Sequence, residues 1–203
     1  MKKHARLIVA GVVVLAVAVG AVALHAQGKE TFTGMLAQMS GPAAGATGSL
    51  QITVERWSTA EERQAYLQAL IDGKDEKNLE AKQRKLVNLM DDYRGDKRNG
   101  FARFPRTLGW DITYAWEFMD GSTRVVRLAT NRPIAFIEAR NNYRTMDYPF
   151  GFIEFRLDEK GEGEGLAYQA VSLTVSKEGR LEVETYGIGP QRILGVRAKV
   201  EGQ

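Results

Sequence analysis

Apolar and polar residues alternate along the chain between residues 30 and 57. In TGSLQITVERW (47–57), Leu50, Ile52 and Val54 alternate with polar residues, which is the period of a strand with one buried face. The segment ETFTGMLAQM (30–39) has a similar strand-like composition. We therefore predict two strands, joined by the Gly/Ala-rich segment SGPAAGATG.

A helical period replaces this alternation after residue 57. Ser58 and Glu61 have the spacing of a capping box, in which each side chain satisfies the other residue's free backbone N–H. The first predicted helix can end at Gly73, and a second is predicted at about residues 76–93. Each helix has one apolar stripe, made of Tyr66, Leu67, Leu70 and Ile71 in the first and of Leu79, Leu86, Met90 and Tyr93 in the second. The two helices form an insert at about residues 58–95.

The chain from residue 101 onward has the pattern of a β-meander. Strands are predicted around the segment WDITYAWEFM and at about residues 133–140, 148–157, 166–175, 180–186 and 193–200. Gly and acidic residues between them are typical of exposed turns. Roughly nine strands with short links predict a mainly β fold, an antiparallel β-meander sandwich or barrel with a two-helix insert.

The segment WDITYAWEFM (110–119) is the most aromatic of these strands. Asp120-Gly121 predicts a two-residue hairpin turn after it, which would pair Glu117 with Arg124, Trp116 with Val125 and Tyr114 with Arg127. The last pair is a candidate cation–π contact. One face of a straight strand would carry Trp110, Ile112, Tyr114, Trp116 and Phe118. Such a face is most often core, because aromatic side chains bury large areas. A ligand cavity or a carbohydrate platform is the alternative.

Residues 1–26 have the pattern of a secretory signal peptide. Lys2, Lys3 and Arg6 precede an uninterrupted apolar run at residues 7–24, and small residues follow. The run is also long enough to cross a bilayer as an uncleaved anchor, the one case in which we expect contact with a membrane. In both cases the basic flank stays inside, so residues 27–203, a predicted single domain, are expected in the periplasm or to be secreted.

The leader accounts for the net charge of +3. Three of the 28 basic residues belong to it, and the remaining 25 balance 25 acidic residues. The basic character therefore reflects export, and nucleic-acid binding is not expected.

The residue types exclude several classes of chemistry. The chain has no cysteine, and its two histidines, His4 and His25, lie in the leader. A Ser-His-Asp triad, thiol chemistry and a histidine metal site are therefore excluded for residues 27–203. We predict no catalytic residue, no metal site and no cofactor.

Two acidic groupings offer alternatives to this interpretation. Glu138, Glu154 and Asp111 lie within apolar strands, and paired carboxylates could hydrolyse glycans. Strand glutamates more often pair with arginines, here Arg140 and Arg156. The turn DEKGEGEG could supply calcium ligands, but its spacing is not that of an EF-hand, and a solvated turn explains it without an ion. Its acids are Asp158, Glu159, Glu162 and Glu164.

The segment RNNYRTMDYPF (140–150) joins two predicted strands and is rich in polar side chains. We expect it to be a surface loop, held by an Arg144–Asp147 pair with Tyr143 or Tyr148 covering a sheet edge. The alternative is a recognition loop, because binding residues often lie on loops carried by rigid sheets. The candidate binding residues are Arg140, Asn142, Tyr143, Arg144, Asp147 and Tyr148.

Five segments together resemble a group of exported bacterial proteins that is uncharacterised: ERWSTAEER, TLGWDITYA, LATNRPIAFIEAR, MDYPF and the GEGEG turn. The resemblance extends from about residue 52 to residue 200 and implies one domain of that group, with no activity attached to it. We expect an exported binding or structural module of the periplasm or cell envelope, with an unknown protein or small molecule as partner. The alternatives are a histidine-free glycan hydrolase and a barrel-type carrier of a small apolar ligand.

Overall fold

The structure is a computed structural model that describes residues 28–38, 45–103, 109–134, 147–176, 181–185 and 189–201. The predicted leader and most of the segment 140–150 lie outside these ranges. The described residues form nine β-strands, two α-helices and a 3-10 turn. Their bounds are β1 Glu30–Ala37, β2 Thr47–Val54, α1 Ala60–Gly73, α2 Leu79–Asp91, the 3-10 turn Gly95–Lys97, β3 Gly100–Arg103, β4 Trp110–Asp120, β5 Thr123–Thr130, β6 Phe150–Leu157, β7 Glu162–Val175, β8 Leu181–Thr185 and β9 Gln191–Val200.

Eight of the strands close into an antiparallel barrel. Their order around it is β6-β5-β4-β3-β2-β1-β9-β7, and β7 pairs with β6 to complete the ring. Among the strands that the structure describes, the ninth, β8, pairs only with the far end of β7. The prediction of a mainly β fold with a two-helix insert is confirmed, and the fold is a barrel rather than a sandwich. Most of the strand predicted at 133–140 lies outside the described residues.

Side chains from the strands pack together inside the barrel. Inward positions alternate with outward ones along each strand, and the rings of Phe32 and Phe155 stack inside with centroids 5.1 Å apart. The interior cluster also includes Leu50, Ile52, Val54, Ile112, Val126, Leu128, Ile153 and Ile193. Because the side chains in this cluster are almost fully buried, the interior is a packed core.

A buried ion-pair group crosses one end of the barrel. Arg124 of β5 donates from both Nη atoms to the carboxylate of Glu30 on β1, each at 2.7 Å. Its Nε donates to Glu117 of β4 at 2.7 Å, and its Nη2 contacts the same carboxylate. Glu30 and Glu117 are only 1% and 8% exposed. We call Glu30, Glu117 and Arg124 the arginine plug.

The surroundings of the plug keep the guanidinium charged. Although burial alone would lower the pKa of Arg124, its hydrogen bonds to the two glutamates and their charges raise it above the ordinary value. The rings of Phe32 and Trp57 lie 6.0 and 5.7 Å from the guanidinium carbon, where cation–π attraction operates. In the barrel order, β5 and β1 are four strands apart. The plug therefore joins opposite walls.

The segment after β5 covers the other end of the barrel. Ile134 is buried against the interior cluster, and Trp110 Nε1 donates to the Pro133 carbonyl at 2.9 Å. Arg132 lies over the Trp110 ring and donates to the Gly109 carbonyl at 2.7 Å. Both ends of the barrel are thus covered by described side chains.

The two helices pack on the outside of the barrel, mainly over β7. The Tyr66 hydroxyl of α1 donates to the Thr113 carbonyl at 2.7 Å. Where α1 meets α2, a Cβ on Gly73 would stand 2.4 Å from the Lys82 carbonyl oxygen. Gly73 is the last residue of α1, as predicted, and the close approach of the two helices explains why it is glycine.

The capping box of α1 lies one residue later than predicted. Thr59, not Ser58, is the N-cap: Thr59 Oγ1 accepts from the Glu62 N–H, and the Glu62 carboxylate accepts from the Thr59 N–H. Ser58 is fully buried, and its hydroxyl accepts from the backbone N–H of Ala115 at 3.1 Å. Ser58 therefore fastens the segment before α1 to β4.

The register of the β4–β5 hairpin also differs from the prediction. Asp120 pairs with Thr123, so the central turn residues are Gly121 and Ser122, and Gly121 has φ of 63°. Trp116 consequently pairs with Arg127 rather than with Val125. The predicted contact between Glu117 and Arg124 forms nevertheless, because both side chains point into the barrel.

Gln83 of α2 takes the position of a missing strand beside β7. The last pair between β6 and β7 is Phe150 with Val171, and β7 continues to Val175. Beyond that pair, Gln83 Nε2 donates to the Leu173 carbonyl and Gln83 Oε1 accepts from the Leu173 N–H, both at 2.9 Å. The fully buried amide thereby satisfies the edge of β7, which otherwise invites pairing with another chain.

Replacing Gln83 by Leu should leave the N–H and C=O of Leu173 buried without partners. We expect the free energy of unfolding to fall by roughly 2–4 kcal/mol, measured by urea denaturation. Arg84→Leu, at the adjacent exposed position of α2, is the matched control and should change stability by less than about 0.5 kcal/mol. Equal losses in the two variants would contradict the role given to Gln83.

Candidate recognition surface

A β-bulge divides the aromatic residues of β4 between the two faces of the barrel wall. The register shifts between Ile112 and Tyr114, leaving Thr113 as an extra, fully buried residue. Because an extra residue reverses the alternation, Trp110 and Ile112 point inward, whereas the later aromatics point outward. The prediction that all five residues share one face is wrong.

The outward residues of β4 form an aromatic surface with two arginines beside it. The guanidinium carbon of Arg63, in α1, lies 5.2 Å from the Trp116 ring centroid, and that of Arg127, in β5, lies 4.9 Å from the Phe118 centroid. Tyr114 completes the row and packs edge-on against Tyr66. We call Arg63, Tyr114, Trp116, Phe118 and Arg127 the aromatic–arginine face.

The two arginines of this face differ in their partners. Arg127 is 8% exposed, and its Nε donates to Glu154 of β6 at 2.8 Å. Arg63 is half-buried and forms no ion pair with any carboxylate in the part of the chain that the structure describes. The prediction placed Arg127 against Tyr114 on the neighbouring strand, whereas it lies over Phe118. Arg63 was not predicted, because the signal that identifies it is its position over a ring on another element.

The tyrosines near this face are held in their neutral form. Burial raises the pKa of Tyr114 to about 12, although the charges of Arg63 and Arg127 oppose the shift. Burial also raises the pKa of Tyr66, together with the nearby Tyr93 and Glu62. These hydroxyls are therefore hydrogen-bonding groups at neutral pH and do not act as bases.

The proposed catalytic carboxylates that the structure describes contact arginines. Glu154 bonds Arg127 and lies 3.8 Å from Arg156, in line with the expectation that strand glutamates pair with arginine. Asp111 lies 3.4 Å from Arg98 and accepts from the Gly95 N–H. Glu138 lies outside the described residues.

The acidic turn between β6 and β7 is held by its own backbone. Asp158 Oδ1 accepts from the N–H groups of Lys160 and Glu162 at 2.8 and 2.9 Å. The Glu162 carboxylate lies 3.4 Å from Arg197, and that of Glu164 lies 2.6 Å from Arg192. Within the described ranges, no group of three or more acidic residues is arranged to hold a metal ion.

The structure describes only the end of the predicted recognition loop. Asp147 is exposed, whereas Tyr148 is half-buried and donates from its hydroxyl to Glu184 of β8 at 3.0 Å. The other candidate binding residues lie outside the described ranges: Arg140, Asn142, Tyr143 and Arg144. Recognition by this loop therefore stays a prediction. Tyr148 contacts β8, the outermost of the described strands.

Comparison with known proteins identifies no family for the chain. No protein family, curated protein or solved structure matches the chain. None of the helices that the structure describes is long and apolar enough to cross a membrane. The function must therefore be argued from the side chains.

The raised pKa of Tyr114 predicts a loss of stability at alkaline pH. The group's contribution is fully present below the unfolded-state pKa of about 10 and is lost as pH rises toward about 12. Within this window a tyrosine with a raised pKa should lower the free energy of unfolding by about 1.4 kcal/mol per pH unit. Urea unfolding at a series of pH values should give a shallower decline for Tyr114→Phe than for the wild-type chain. Parallel declines would contradict the assignment.

Proposed function

We propose that the chain is an exported binding module of the periplasm or cell envelope, and that it binds its partner on the outside of the barrel. The observation that carries this proposal is the packed interior. Phe32 and Phe155 stack across it, and the arginine plug covers one end. The aromatic–arginine face, in contrast, keeps partly exposed rings on the outer wall, together with a guanidinium that has no carboxylate partner among the described residues.

The arrangement of the chain supports export. The predicted leader ends at Ala26 and β1 begins at Glu30, so removal of the leader leaves every described element intact. The absence of cysteine means that the packed core and the ion pairs hold the fold without disulfides.

The two alternative functions have less support. A carrier of an apolar ligand requires interior space, and the interior side chains of this barrel pack against one another. A glycan hydrolase requires two carboxyl groups that flank the substrate bond, whereas arginines contact both Glu154 and Asp111.

Export can be tested with alkaline phosphatase fused to the C-terminus, because that reporter needs disulfides that form outside the cytoplasm. The wild-type fusion should be active. Val13→Arg with Leu15→Arg should reduce activity at least tenfold, because charges within the apolar run oppose insertion. Lys2→Arg with Lys3→Arg keeps the charge and should leave activity unchanged. An inactive wild-type fusion, or full activity of the Val13/Leu15 variant, would contradict export.

The use of the outer wall can be tested with purified residues 27–203. We expect the protein to co-sediment with cell-envelope fragments of the producing organism and Trp116→Ala to reduce the retained fraction severalfold. Met119→Ala, on the same strand at a position 46% exposed, is the matched control and should bind normally. Circular dichroism verifies folding of both variants. Equal retention of all three proteins would argue against this surface.

A further inference from the structure

Arg63 is a half-buried cation without a counterion among the described residues. The acid next to it in the sequence, Glu62, already has a cation as its partner. Arg56 bonds both carboxylate oxygens of Glu62 at 3.0 Å. Glu62 also accepts from the Thr59 N–H in the capping box. Glu62, the acid nearest to Arg63 in the sequence, is therefore already bound to other groups.

The cation–π contact with Trp116 does not by itself explain why Arg63 has no carboxylate partner among the described residues. A cation–π contact at a partly exposed site is weak. Part of the guanidinium also interacts with the Tyr114 hydroxyl, and because arginine carries five N–H donors, others remain for an anion. Those N–H groups form a rigid planar fork that matches a carboxylate. Stacking on Trp116 also fixes the direction of the fork, so less side-chain freedom is lost when an anion binds.

The groups beside Arg63 indicate what the anion is attached to. Trp116 and Phe118 are successive outward residues of β4, roughly 7 Å apart along the strand, and both are partly exposed. Arg127 lies against Phe118, and its charge is balanced by Glu154. The site thus combines a positive charge that lacks a counterion in the described part of the chain with apolar ring surface. This combination fits a ligand that has a carboxylate next to a flat C–H face.

We propose that Arg63, Trp116 and Phe118 bind an acidic sugar of an envelope glycan. The carboxylate of a uronic-acid unit binds the guanidinium of Arg63, and the C–H face of the sugar packs on the exposed parts of the two rings. This assignment rests on the proposed function, since it names the ligand of the outer face.

Isothermal titration of residues 27–203 with trigalacturonate tests the proposal. We expect binding that Arg63→Gln and Trp116→Ala each weaken by about tenfold or more, because a hydrogen bond to a charged group contributes roughly 1.5–3 kcal/mol. Arg63→Lys should also bind less tightly, because it keeps the charge and loses the fork. Arg84→Gln removes a charge from an exposed position of α2 and should leave the affinity unchanged.

Two comparison ligands, a neutral sugar and an acidic peptide, test whether binding requires both the carboxylate and the sugar. The neutral galactose trimer and hexaglutamate should each bind at least tenfold more weakly than trigalacturonate. No binding of trigalacturonate, equal binding by Arg63→Gln, or equal binding of either comparison ligand would overturn the proposal. If trigalacturonate fails while Trp116→Ala still reduces retention on envelope fragments, the acidic-sugar assignment falls and the outer-surface binding function stands.

Discussion

The arginine plug is the interaction on which the rest of this barrel depends. Arg124 projects from β5 and bonds Glu30 at the start of β1, on the opposite wall. Two carboxylates buried at one end would be costly unless a cation bonded both of them, and the partly exposed guanidinium of Arg124 does so. Their mutual bonding therefore fixes where the first strand of the chain begins, and β1 in turn pairs with both β2 and β9.

The packed interior determines where recognition can occur. Because the interior is occupied and both ends are covered, the outer wall is the surface left for contact with the proposed partner. The helices bury much of the wall around β7, which leaves the aromatic–arginine face beside the start of α1. The bulge at Thr113 creates this face, since without it the rings of Trp116 and Phe118 would point inward.

Local patterns in the sequence predicted the individual strands and helices better than they predicted how these elements pair and pack. The alternation of Leu50, Ile52 and Val54 and the helical stripes correctly indicated strands and helices. The bulge at Thr113 left no such mark, because aromatics at every second position fit an unbroken strand equally well. No local pattern indicated the burial of Glu30, since its partner Arg124 lies 94 residues away in the sequence. Closure into a barrel likewise depends on pairing between distant strands.

The candidate site was only partly predictable for the same reason. Trp116 and Phe118 were expected in the core, with a ligand cavity or a carbohydrate platform as the alternative. Arg63 was not a candidate, because its position over Trp116 requires α1 to lie against β4. The predicted loop residues Asp147 and Tyr148 are described, and Tyr148 contacts Glu184. Recognition by that loop stays a prediction beside the surface proposed on β4.

A double-mutant cycle between Glu30 and Arg124, followed by urea unfolding, examines the plug itself. Arg124→Met alone should cost about 3–5 kcal/mol, because it leaves buried carboxylates without a cation. The coupling energy with Glu30→Gln should exceed about 2 kcal/mol, as for close buried charge pairs. The same cycle on the exposed pair Glu164–Arg192 should give less than about 1 kcal/mol. A coupling between Glu30 and Arg124 no larger than that of the exposed pair would contradict the claim that the plug ties the two walls together.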